Sequence, residues 1–195
     1  RFAGAGLKLA PGIERELLPQ DGELEFVSLD GRMVEGLLWL GTLVREQRQA
    51  TVLTSDGAVS EIAGDPDTGE AHVDQVGRYL LDPDPAVGRA QLIGSLSANL
   101  GAWQLDARIA YLSSDAKVET PFARSWRVLE QGKFGKKQLS RWVRKHGAGR
   151  VVVKRRGVPI EPSALIKRLP KTKGGPELTV FLSRTDGTPL MILAE

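Results

Sequence analysis

The alternation of apolar and polar positions changes period several times along the chain, and each change predicts an element. Residues 7–19, LKLAPGIERELLP, read as a short apolar strand, a turn at Pro11-Gly12 and a brief helix. Residues 23–41, ELEFVSLDGRMVEGLLWLG, read as two strands around Asp30-Gly31, a dipeptide suited to a two-residue hairpin with positive φ. QATVLTSDG adds a further strand, and the Gly-, Asp- and Pro-rich stretch 55–74 is expected to connect two units.

From Gly77 onward strands alternate with helices. VGRYLL is a strand; Asp84 then caps a helix that has Pro85 at its first position and stops at Gly101. Leu92, Ile93, Leu96 and Leu100 share one face of that helix, and Arg89 projects from the same sector. A cation on an apolar stripe needs an acid or a route to solvent. Pairing with Asp82 or Asp84 would satisfy Arg89, and a weak anion contact is the sharper alternative. ARIAYLSS and FARSWRVLE add two strands, a helix follows over 135–147, and RVVVKRR closes the set. Residues 77–156 therefore read strand, helix, strand, strand, helix, strand, the order of a ferredoxin-like βαββαβ unit. PIEPSALIKRL predicts a short helix, KTKGG an exposed loop tip, and the terminal ELTVFLSRTDGTPLMILAE a hairpin bent at Asp186-Gly187.

Charge changes this picture most between Arg124 and Lys173. That stretch holds 16 Lys and Arg against Glu130 and Glu161, a net +14, while the rest of the chain is net −11. The total of +3 thus hides two parts of opposite sign, which points to a polyanionic partner. On a helix over GKKQLSRWVRKHG, Leu139, Trp142 and Val143 fall in one sector and Lys136, Lys137, Arg141, Arg144 and Lys145 in the other. The candidate nucleic-acid contacts are Lys133, Lys136, Lys137, Arg141, Arg144, Lys145, Lys154, Arg155, Arg156, Lys167, Arg168, Lys171 and Lys173. His146, at the end of the helix, is expected to face its C-terminal dipole.

Composition excludes several chemistries. The chain has no cysteine, so disulfides, thiolate metal sites and a Cys nucleophile are impossible. No apolar run approaches the length of a membrane span and no signal-peptide pattern opens the chain, which fits a cytoplasmic protein. Gly4 and Gly6 lack the third glycine of a dinucleotide fingerprint and read as a turn. His72 has no second histidine at ligand spacing and reads as an exposed loop residue. Trp39, Trp103, Trp126 and Trp142 read as core by default.

Three stretches carry a wider resemblance: LKLAPGIERELLP with EFVSLDGRMVEGLLWLG, RYLLDPDPAVGRAQLIG with RIAYLSSD, and TPFARSWRVLEQG with VVVKRRGVPIEPSALIKRL. They resemble the C-terminal part of bacterial class I S-adenosylmethionine-dependent methyltransferases that carry a THUMP-like domain. The resemblance implies an α+β fold: residues 1–55 as the last strands of a methyltransferase sheet, 56–76 as a linker, 77–120 as a ferredoxin-like segment and 121–195 as the THUMP-like domain. It implies RNA, tRNA or rRNA, as the partner and S-adenosylmethionine as cofactor of the parent protein. That family's glycine loop and catalytic Asp-Pro motif are expected upstream of Arg1, so no catalytic, cofactor-binding or metal-binding residue is carried over and this piece alone is expected to be inactive. The alternative is an interaction module that assembles with a partner or a second copy through an exposed sheet edge.

Overall fold

The computed structural model describes residues 2–10, 12–14, 18–19, 21–66, 72–185 and 187–195. Pro11 and Asp186 of the two expected turns, the middle of the helix expected at 13–19, and residues 67–71 of the expected linker lie outside the described residues. The chain divides into two compact units, one of Arg1–His72, Asp82–Ala102 and Glu119–Arg124, the other of Val73–Leu81, Trp103–Val118 and Ser125–Glu195.

The first unit contains a sheet of β1 (Gly4–Leu9), β2 (Glu23–Leu29), β3 (Arg32–Gly41), β4 (Arg48–Leu53) and β5 (Val59–Gly64), in the order β1-β3-β2-β4-β5. β2 and β3 form the expected hairpin, with Asp30 at φ 48° and Gly31 at φ 75°. Gly4 and Gly6 lie within β1, not in a turn, because the segment pairs antiparallel with β3, Gly4 opposite Gly41 and Gly6 opposite Trp39, where a side chain at Gly6 would strike the Trp39 ring. β5 occupies part of the stretch expected as a connection and pairs antiparallel with β4. Only Ile62 of β5 is buried, so its apolar signal is a single position.

Two helices complete this unit, α1 (Pro85–Ala90) and α2 (Ile93–Leu100). Asp84 Oδ1 accepts from the Ala86 N–H at 2.9 Å, Pro85 opens α1, and Gly101 closes α2 in the left-handed conformation, all as expected. The single helix expected over this stretch breaks at Gln91, which takes φ 61° and caps α1. The break allows Ala86, Val87 and Ala90 of α1 and then Leu92, Ile93 and Leu96 all to be buried.

A second sheet runs β10-β11-β12-β9-β6-β8-β7, from β6 (Tyr79–Pro83), β7 (Trp103–Asp106), β8 (Ile109–Ser114), β9 (Ala123–Lys133), β10 (Arg150–Arg155), β11 (Glu177–Thr185) and β12 (Thr188–Ala194). α3 (Lys136–Lys145) joins β9 to β10, and α4 (Pro162–Ile166) lies on the crossover between the parallel strands β10 and β11.

This α+β order is not the ferredoxin-like arrangement, which would set β10 beside β6. Here β8 takes the place beside β6, and the terminal hairpin stands between β9 and β10, β12 against β9 and β11 against β10. Burial gives the reason. Six consecutive residues of β11, Leu178–Ser183, are buried on both faces and need an interior position, whereas β10 ends in cations and suits an edge. β7 was not anticipated either; it pairs with β8 through an irregular register between Gln104 and Asp106.

Candidate nucleic-acid interface

Alternation along β10, β11 and β12 separates two sides of this second sheet within its unit. One side carries Val151, Leu178, Val180, Leu182, Met191 and Leu193, which pack with Leu139, Trp142 and Val143 of α3 and Leu165 of α4. The other carries Tyr111, Trp126, Phe181 and Ile192. There the Phe181 ring lies 5.4 Å from Tyr111 and 5.0 Å from Trp126, edge to face in both pairs.

α3 forms where its amphipathic pattern predicts. Its three buried apolar side chains each contribute about 1.5–3 kcal/mol by leaving water. Holding that face down fixes the other one outward, so Lys136, Lys137, Arg141, Arg144 and Lys145 are all exposed. The first turn contains no acid and the last contains Arg144 and Lys145. Lys145 is the member with a partner: its Nζ lies 2.6 Å from Glu130 Oε1, and His146 Nε2 lies 2.9 Å from the same oxygen. Lys145 first and His146 second hold the Glu130 carboxyl below the ordinary carboxylate range. Among the described residues Lys136, Lys137, Arg141 and Arg144 make no ion pair.

Lys167, Arg168, Lys171 and Lys173 follow α4 and are exposed. The loop carrying the last two is anchored by backbone. Thr172 N donates to Ala148 O at 2.8 Å and Gly149 N to Pro176 O at 2.9 Å. A side chain at Gly149 or Gly175 would collide with the other segment's backbone, so glycine permits this close approach. The KTKGG loop is thereby tied to the turn that ends α3, and is more than an exposed tip. Arg155, whose ladder partner Leu182 belongs to the α3 side, emerges on that side too.

The remaining predicted contacts do not join them. Lys154 Nζ stands 4.8 Å from the centroid of Trp126, and the Arg156 guanidinium 5.1 Å from that of Tyr111, both over the aromatic cluster of the opposite side. Lys133 pairs across the ladder with Leu190, which packs on the same cluster. The thirteen cations expected to form one surface therefore divide. Adjacent residues on a strand point to opposite faces, so the run Lys154-Arg155-Arg156 could not stay together.

Between α3 and α4 lies a cleft of about 410 Å³, lined by Phe134, Ile160, Leu165 and Leu169 with Lys136 and Arg168 among its walls. Sequence reading missed it; Phe134 and Ile160, apolar residues just outside the regular elements, were its only signal. A second cavity, of about 270 Å³, lies against β2 and β3 in the first unit and includes Glu23, Glu25 and Trp39. Its acids already serve the fold. Glu25 accepts from Trp39 Nε1 at 2.8 Å and Thr51 Oγ1 at 2.6 Å, and Glu23 from the N–H groups of Arg45 and Glu46.

Arg89, the weak anion candidate, donates through Nη2 to the Ile13 carbonyl at 3.0 Å and stands 5.2 Å from the Phe26 ring centroid. Both contacts lie within the first unit. His72 is exposed, as expected. Trp126 and Trp142 are buried, while Trp39 and Trp103 are half-buried and donate to Glu25 and to the Gln75 carbonyl. Among the described residues no group of three His, Cys, Asp or Glu is placed to hold a metal ion, and no helix is long and apolar enough to cross a membrane.

Comparison with known proteins adds three findings. Residues 123–195 match the THUMP domain-like family. Two uncharacterized S-adenosylmethionine-dependent methyltransferases from Mycobacterium tuberculosis, strains CDC 1551 and H37Rv, are each 36% identical over 183 residues, 91% of this chain and 49% of theirs. The chain thus spans about half the length of the curated relatives it matches. The crystal structure of a proposed methyltransferase from Porphyromonas gingivalis W83 superposes with a TM-score of 0.74 over 99% of this chain and 51% of that one, at 19% identity, which establishes a shared fold. The curated relatives are named as S-adenosylmethionine-dependent. The glycine pair nearest to a cofactor loop is part of β1, and the acids beside Trp39 already accept from protein donors.

Proposed function

The chain is a relative of S-adenosylmethionine-dependent methyltransferases with a THUMP domain-like region at residues 123–195, and on that premise we propose that it recruits RNA, tRNA or rRNA, for methylation. The cations of α3, with Arg155, Lys167, Arg168, Lys171 and Lys173 beside them, hold the phosphate backbone. Phosphate contacts position a substrate without reading its sequence, and the methyl group is delivered from S-adenosylmethionine by a catalytic unit of the whole cytoplasmic protein. The strands β1–β4, within residues 1–55, are the part of this chain proposed to belong to the methyltransferase sheet. No step of methyl transfer is assigned to the residues described above.

One observation carries the reading. α3 buries a complete apolar face and turns five cations outward, of which only Lys145 has an acid beside it among the described residues. A merely solvated helix interleaves both signs. The variant Lys136→Glu, Lys137→Glu, Arg141→Glu, Arg144→Glu alters exposed side chains alone. In a fluorescence-anisotropy titration with labelled RNA at fixed salt, its affinity is expected to fall by roughly a hundredfold or more. Unchanged affinity would remove the basis of the reading.

A further inference from the structure

We propose that the cleft between α3 and α4 receives a single unstacked base of the RNA, so that the substrate segment bound here is single-stranded. This deepens the function proposed above and rests on it. The cleft's volume of about 410 Å³ falls within the range of small-ligand sites, and its floor is apolar, from Phe134, Ile160, Leu165 and Leu169. A nucleobase suits such a surface: a flat, largely apolar face that stacks without regard to sequence.

Charge complementarity selects this occupant. Lys136, the first residue of α3, and Arg168, just past α4, both line the cleft, where an entering base would leave its own phosphate. From Lys136 the exposed cations continue along α3 through Arg141 to Arg144, a track for the phosphates that follow. Glu161 is the acid on the rim; its carboxylate accepts from the N–H and the hydroxyl of Ser163 at the start of α4, and its one charge stands against the two cations Lys136 and Arg168 that line the same cleft. A duplex keeps its bases stacked and cannot insert one, so a duplex meets the cations and not the floor.

Ala164 is exposed and lines the cleft, which makes it the place to fill. The 195-residue chain and its Ala164→Trp variant are titrated with a single strand of about 12 nucleotides and with a hairpin duplex of equal phosphate number. Loss of one stacked base predicts a roughly tenfold weaker single-strand affinity for the variant, with duplex affinity unchanged. Equal losses for both RNAs, or no loss, would overturn the cleft assignment and leave the phosphate-binding reading standing. Failure of the unmodified chain to bind either RNA would overturn both. A dimer in sedimentation equilibrium that the substitution dissociates would also overturn it, by giving the cleft to a second copy of the chain. Thermal unfolding checks that the variant is folded, and Ala164→Ile repeats the titration with less bulk.

Discussion

The two sides of the second sheet carry cations of the same kind in opposite circumstances. On the α3 side, Lys136, Lys137, Arg141 and Arg144 are exposed on a helix. On the other side, Lys154 and Arg156 lie over Trp126 and Tyr111, where their charge meets the negative faces of the rings. A run of basic residues therefore has no single meaning. Helix period keeps the first group on one exposed face, and strand period sends alternate members of the second group into packing. Charge reversal at Lys154, Arg155 and Arg156 together would mix damage to the fold with loss of phosphate contacts and could not distinguish them.

The largest effect that sharpens this contrast is on stability. Trp142→Ala removes the widest side chain that anchors α3 and is expected to cost about 3–5 kcal/mol. Urea unfolding of the chain measures it. A cost below about 1 kcal/mol would mean that α3 is not held by this face, and its cations would then have no fixed direction.

A smaller effect is expected on the other side. Lys154→Met and Arg156→Met keep the stems and remove the charges, and each is expected to cost about 0.5–2 kcal/mol through the lost ring contacts. RNA affinity should stay within about twofold of the unmodified chain, because these cations belong to packing. A large affinity loss with little change in stability would break the comparison by making both sides RNA-binding.

The smallest effect concerns Glu130. Its folded-state value is depressed below about 4.5, so its contribution to stability is present above that pH and is lost as pH falls through the lower folded value. In Glu130→Gln this loss disappears from the acid limb of a stability-against-pH curve. The substitution also releases Lys145 and His146, so RNA affinity should rise slightly at neutral pH. A steeper acid limb in the variant would contradict the pairing.

Local features were legible before the structure. Asp30-Gly31 places a hairpin, Asp84-Pro85 starts a helix and Gly101 ends one, because each acts through its immediate backbone. α3 was legible because ten residues carry one strong helical period. The sheet order was not, since it depends on which distant strand can be buried on both faces. β11 and β12 stand between β9 and β10 for that reason, and β8 takes the place beside β6. The candidate surface was half legible: charge count identified the region, while the division between its two sides needed the pairing of Arg155 with Leu182 and Lys154 with Phe181. The cleft joins Phe134, before α3, to Leu169, after α4, and no local pattern reports such a juxtaposition.

The central claim is that the α3 side, and not the aromatic side, holds RNA phosphates. The slope of log affinity against log salt tests it most directly, measured in parallel for the unmodified chain, the fourfold Glu variant of α3 and the double Met variant of Lys154 and Arg156. Loss of four phosphate contacts predicts a slope shallower by about 3 for the α3 variant, with the double Met variant matching the unmodified chain. Equal slopes for the unmodified chain and the α3 variant, or a flattened slope for the double Met variant alone, would contradict the account.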